Sequence, residues 1–197
     1  MINLEELEQS EALRTIVIPL VVPTEQEITD NADLDLSFSP LNACYSKPAV
    51  NEKTGERQSW CEVRLTIEGE DNLPSKKDWF YLMTDDRRFD KACFSGRGKK
   101  VKWLNTFKNE DMIGDWIKNR LVECELIEEF WYTDEDKRKS GVVTKEALEI
   151  YGGDKIYLKK TSKTYKDEEG IDRDVWLISF PFLFWSEMDE LAKLADK

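Results

Sequence analysis

Cys61-Glu62-Val63-Arg64-Leu65-Thr66-Ile67-Glu68 alternates apolar and polar side chains at every step. A strand sends successive side chains to opposite faces, so this octet reads as an antiparallel strand with one face buried and one wet. The same period extends outward. Leu34, Leu36 and Phe38 alternate with Asp35, Ser37 and Ser39, and the polar stretch Asn51-Glu52-Lys53-Thr54-Gly55-Glu56 reads as the tip of a long hairpin. Further strands are expected at Trp79–Met83, Lys100–Phe107 and Leu121–Tyr132. A last hairpin runs through Lys155–Lys166 and Ile171–Trp185, turning at Asp167-Glu168-Glu169-Gly170. In Ile16–Val22, Pro19 cannot donate a ladder bond, which assigns that strand to an edge or a bulge.

Helical periodicity interrupts this pattern in a few places. An acidic amphipathic helix is expected at the N-terminus, within residues 1–13, with Leu4, Leu7 and Leu13 on one side. Asn109 can cap a helix over 109–120 with Ile113, Trp116 and Ile117 inward. Thr144–Tyr151 ends at Gly152-Gly153, and Ser186-Glu187-Met188-Asp189 resembles a capping box opening a helix over 186–197. The expected fold is mainly β with a few helices (α+β): an antiparallel Greek-key barrel or sandwich, of which the OB fold is one instance. One domain is expected over 1–197, with a β-rich core at 14–185. No βαβ rhythm is visible.

Composition narrows the chemistry. Histidine is absent, which removes His-based general bases, His–Cys and His–Ser pairs, His-ligated metals and HNH-type centres. Cys44, Cys61, Cys93 and Cys124 contain no close pair of zinc-site spacing. No cofactor and no metal are expected. There is no apolar run of about 18 residues and no leader pattern, so a cytoplasmic protein with no membrane partner is expected.

The net charge of −12 is unevenly placed. Arg87–Lys108 holds eight bases against one acid, and Lys155–Lys166 holds five bases and no acid. With Ile156 and Leu158 inward, the opposite face of the second stretch presents Tyr157, Lys159, Thr161, Lys163 and Tyr165. Rings for stacking and ammonium groups for phosphates are what single-stranded nucleic acid requires. The first stretch adds Arg97, Lys99, Lys100, Lys102 and Trp103, with Gly96 and Gly98 in a loop able to turn backbone N–H groups toward an anion. The Walker pattern fails there, because Cys93 and Lys100 stand where glycine and Ser or Thr belong. The bland alternative is a solvated, edge-protecting lysine face.

Acids cluster too: Glu110–Asp136 carries ten against two bases. Glu123 and Glu125 on one strand face, or the E-x-K triplet Glu135-Asp136-Lys137, would suit a divalent cation, but so short a pattern is common by chance.

In architecture the chain is similar to small acidic single-stranded-DNA-binding proteins of bacterial viruses, sharing a length near 200 residues, a barrel-like β pattern, exposed aromatics and clustered lysines. The resemblance implies a non-enzymatic protein binding single-stranded DNA with little sequence preference, in the host cytoplasm if viral. Two alternatives stand beside it. One is an acidic DNA mimic that binds a basic nucleic-acid-handling protein; the other is a structural subunit of a larger assembly. Nucleic-acid contact is expected at Arg97, Lys99, Lys100, Lys102, Trp103, Tyr157, Lys159, Lys163 and Tyr165.

Overall fold

Phe80-Tyr81-Leu82-Met83-Thr84 is buried along its whole length, and a strand covered on both faces belongs inside a sheet. The computed structural model describes residues 2–31, 34–36, 39, 41–42, 53–55, 63, 65–96, 101–128 and 141–181. Its strands are β1 (Ala12–Pro19), β2 (Thr66–Glu68), β3 (Phe80–Thr84), β4 (Phe89–Ser95), β5 (Val101–Thr106), β6 (Lys155–Lys166) and β7 (Asp172–Ser179). They form one seven-stranded sheet in the order β1-β6-β7-β3-β4-β5-β2, so the mainly β architecture is as the alternation implies. Pro19 closes β1 on the outermost strand. One neighbouring pair, β3 with β7, is parallel. Side-chain period does not distinguish the two pairings, because both alternate by two.

The helices are α1 (Leu4–Gln9), α2 (Glu25–Asp30), α3 (Met112–Glu123) and α4 (Lys145–Tyr151). The chain divides into two compact units, each assembled from three stretches. The first (Met1–Ile18, Glu62–Trp116, Ile156–Ser179) contains the sheet. Register puts Phe80, Leu82, Ala92, Phe94, Leu104, Trp176 and Ile178 on one sheet face, all buried. The Phe80 ring lies 5.3 Å from Phe94 and 5.0 Å from Trp176. On the other face, Leu7 of α1 covers Tyr81, Met83, Val175 and Leu177. Helix α1 is shorter than its periodicity suggests. Asn3 caps it, but β1 begins at Ala12 and leaves Leu13 as an exposed strand residue.

The second unit (Pro19–Cys61, Ile117–Lys155, Phe180–Lys197) is pinned by buried polar groups. Asn42 is fully buried; its Nδ2 donates to the Val143 carbonyl at 2.8 Å and its Oδ1 accepts from the Val143 N–H at 2.8 Å. Thr144 caps α4, and Gly152 ends it at φ 88°, in the left-handed region, as the Gly-Gly signal suggests. The Tyr151 ring stacks on Phe180 at 4.4 Å.

The expected strand at Leu121–Tyr132 is overturned over its described part. Residues 121–123 complete α3, 124–125 form a turn and 126–127 a bend, while 129–132 lie outside the described residues. Fully buried Leu121 stands four residues after Ile117 and belongs to the helical stripe. Glu125 sits at φ 58°; its N–H bonds the Val122 carbonyl while the Leu126 N–H bonds that of Leu121, a left-handed helix ending. Glu123 and Glu125 therefore share no strand face. In the opening octet Val63, Leu65 and Ile67 are buried as expected, but only Thr66–Glu68 pairs as strand; residues 61, 62 and 64 lie outside the described residues. Leu36 is buried without forming a strand over 34–36. The expected helix over 186–197 and the Glu135-Asp136-Lys137 triplet also lie outside.

Candidate nucleic-acid interface

The bend that builds the site starts in β6. Its register with β7 is regular from Tyr157 to Lys160, then slips before resuming at Thr164 opposite Asp174. Thr161 turns inward at the slip, 1% exposed, and its hydroxyl donates to the Val175 carbonyl at 2.7 Å. An irregularity of this kind bends a strand and re-aims its side chains. Beyond it, the hairpin end reaches β3 and β4. Tyr165 meets Tyr81 edge-on at 5.4 Å and Phe89 at 6.3 Å. Arg173, paired with Tyr165, stands 4.5 Å from the Trp79 ring centre, and Lys91 of β4 stands 4.7 Å from the same ring. Such cation–ring contacts contribute about 0.5–1 kcal/mol at exposed sites.

Asp167 holds the hairpin turn. Its carboxylate accepts N–H bonds from Glu169 and Ile171 and from the Arg173 Nε, each at 2.9 Å. Burial works against ionisation, yet the Arg173, Ile171 and Glu169 donors outweigh it and hold this carboxyl below its usual range. At Tyr81 the shift runs the other way. Burial, reinforced by the Asp167 and Glu168 carboxylates, pushes the phenol up and keeps it protonated.

Two cavities flank the Phe89 and Tyr165 rings. One, of about 320 Å³, is lined by Tyr81, Lys91 and Lys108, with Lys166, Asp167 and Glu168 from the hairpin end. The other, of about 500 Å³, is lined by Ile2, Leu4, Met83 and Arg87. Phe89 and Tyr165 border both, so they form a ridge in one trough, and each is 40% exposed. Lys108 and Lys166 make no ion pair among the described residues, while Lys91 lies 3.7 Å from the well-exposed Glu168. Cations from both basic stretches thus meet at one ring ridge.

The expected contact residues are dispersed around this trough. Tyr165 is on the ridge, and Lys163 is exposed at the register slip. Tyr157 is half-buried upstream, opposite Ser179. Lys159 donates to the Leu7 and Glu8 carbonyls at 2.9 and 2.8 Å and so holds the C-terminal end of α1. Trp103 and Lys102 are half-buried on opposite faces of β5, and Trp103 borders a separate cavity of about 320 Å³ with Asn105 and Glu110. Arg97, Lys99 and Lys100 lie outside the described residues. Gly96, just before them, is required by packing: a Cβ there would come 2.5 Å from the Val101 carbonyl oxygen.

Sequence reasoning missed Trp79, Tyr81, Phe89, Lys91, Lys108, Lys166 and Arg173 as site residues. The available signal was Phe89-Asp90-Lys91 inside the first basic stretch. Asp90 disguises it by breaking the apolar alternation of β4. This acid is buried, and accepts N–H bonds from Lys91, Lys108 and Asn109 at 2.7, 2.9 and 3.0 Å.

Residues 28–162 match the family described as the NgoFVII C-terminal B3-like DNA-binding domain. The matched span includes Trp79, Tyr81, Phe89, Lys91 and Lys108 and stops just short of Tyr165. No curated protein matches the chain.

Proposed function

The chain belongs to the NgoFVII C-terminal B3-like DNA-binding domain family, and on that premise we propose that it binds DNA along the trough divided by Phe89 and Tyr165, as a binding domain without catalysis of its own. The observation that carries this reading is the meeting of Lys91 and Lys108 with Lys166 at one ring ridge, although more than 50 residues separate the two groups in the chain. The net charge of −12 does not oppose it, because association follows the local field of a groove rather than the sum over the molecule.

Single-stranded DNA is the favoured form. A base inside a duplex offers only its edges, whereas an unpaired base offers a flat face to a ring, worth about 1–3 kcal/mol per stacked base. Fluorescent 30-mers, single-stranded and as the matching duplex, titrated at two salt concentrations, test the proposal. Saturable binding is expected, tighter for the single strand, and falling with a log–log slope of about −0.7 per phosphate contact. Tighter binding to the duplex would remove the strand preference and leave DNA binding standing. Silence with both would overturn the function.

A further inference from the structure

We infer that Phe107 is a second stacking station for single-stranded DNA, beside the Phe89–Tyr165 ridge, and that Lys76 and Lys77 meet the phosphates passing it. This inference rests on DNA binding at the trough and carries the path beyond it, across β5.

Apolar side chains left in water are ordinary when scattered and informative when grouped. Among the described residues, the large aromatic side chains that stay exposed are Phe89, Phe107 and Tyr165, at 40%, 37% and 40%. They are grouped. Lys91 of β4 lies opposite Tyr81 of β3. On its other side its carbonyl accepts the Phe107 N–H at 2.9 Å, one step beyond the pairing of Ala92 with Thr106. Residues opposite one another in neighbouring strands share a face, so Phe107 lies on the face of Tyr81 and Lys91. Phe89, two positions before Lys91, is on that face as well and stacks on Tyr81 at 4.9 Å.

Phe107 is therefore the diagonal neighbour of Phe89, and such neighbours stand about 7–8 Å apart. That is about twice the roughly 3.4 Å between successive nucleotides of a duplex strand. A single strand drawn out of helical stacking can lay successive bases on the two rings. A duplex keeps its base faces covered and cannot.

The surroundings of Phe107 repeat the combination found at the ridge. Its ring stacks on no other ring among the described residues, and the Lys76 Nζ stands 5.8 Å from its centre. Lys76 and Lys77 open a 3-10 turn, Lys76–Asp78, that follows a segment held to β4 by the Phe94 N–H on the Pro74 carbonyl at 2.9 Å. Both lysines are exposed, and their ammonium groups make no hydrogen bond or ion pair among the described residues. The acid of this turn, Asp78, accepts the Ser75 hydroxyl at 3.0 Å. Lys108, the next residue after Phe107, already lines the trough. A ring with ammonium groups on both sides takes a base and its neighbouring phosphates together.

The test compares a 15-mer of thymidine with an abasic strand of the same length, using the full chain. Phe107→Leu keeps an apolar side chain and removes the flat ring. It is expected to weaken binding to the thymidine strand about tenfold, the scale of one stacked base, with an unchanged salt slope. Affinity for the abasic strand should stay within about twofold, because backbone contacts do not need the ring. Phe107→Trp should restore binding to thymidine. Lys76→Met combined with Lys77→Met should flatten the salt slope by about 1.4 on both strands. An unchanged affinity of Phe107→Leu for thymidine overturns the station, and so does an equal loss on both strands, which would mark a structural role. An unchanged slope in the lysine variant removes the phosphate contacts assigned to it. In each of these cases binding by the unaltered chain leaves the DNA reading intact. Tighter binding to the matching duplex overturns the station together with the strand preference. Absence of binding to either 15-mer and to an ordinary 30-mer overturns station and function alike.

Discussion

Lys91→Glu, Lys108→Glu and Lys166→Glu combined in one chain are expected to weaken DNA binding at least a hundredfold. The three ammonium groups line one cavity, so reversing them replaces attraction with repulsion over less than the Debye length of about 8 Å at physiological salt. Each lost phosphate contact removes about 0.7 from the magnitude of the salt slope, so the slope should flatten by roughly two. Folding should survive, because Lys108 and Lys166 are exposed and Lys91 is only half-buried. A thermal melt checks that point. Lys145→Glu on α4, a residue that borders none of the described cavities, is the control and should change affinity little. A control loss of about a third of the triple variant's on a logarithmic scale, in proportion to the charge changed, would mean that overall charge, and not this trough, governs association.

Phe80→Ala is expected to have the largest effect on stability. The ring is fully buried between Phe94 and Trp176, and truncating such a ring costs about 3–5 kcal/mol through lost transfer energy and the cavity left behind. Against a total stability of about 5–15 kcal/mol, that brings the domain close to unfolding. Urea denaturation should show the midpoint falling sharply with an unchanged slope. Trp176→Phe should be markedly milder. The Trp176 Nε1 is buried without a hydrogen-bond partner, so removing it relieves a desolvation penalty that offsets part of the lost packing. A Phe80→Ala midpoint near that of the unaltered chain would show that the Phe80–Phe94–Trp176 cluster is not what holds the sheet.

The parts of this fold legible in the amino-acid order are those governed by neighbours in the chain. Thr144 and Gly152 bound α4 through local capping, Pro19 marks the edge strand by its missing donor, and the β6–β7 hairpin follows from its turn. Helix α2 was equally legible and overlooked: Thr24 and Glu27 form a reciprocal capping box. Tertiary choices were not legible. Leu121 fits a strand alternation and a helical stripe equally well, and only its burial beside the rest of α3 decides between them. Nothing local announces that β3 pairs in parallel with β7.

The site divides along the same line. The two basic stretches and their rings could be read from composition. Which members line the trough depends on the register slip between Lys160 and Thr164, beyond which Tyr165 and Lys166 border one cavity with Phe89 and Lys91. Lys159, one residue before the slip, is instead engaged by the carbonyl end of α1, a contact across 151–152 positions of sequence. A helix C-terminus attracts a cation for the same electrostatic reason that a phosphate does.

Amide hydrogen exchange with and without a single-stranded 30-mer tests most directly whether the two basic stretches act as one surface. DNA should slow exchange together in β4, at Phe89–Ser95, and across the hairpin end from Lys163 to Asp172, with both protections titrating at the same DNA concentration and vanishing together at high salt. Protection confined to one of these segments, or found only in the second unit, would contradict a shared trough.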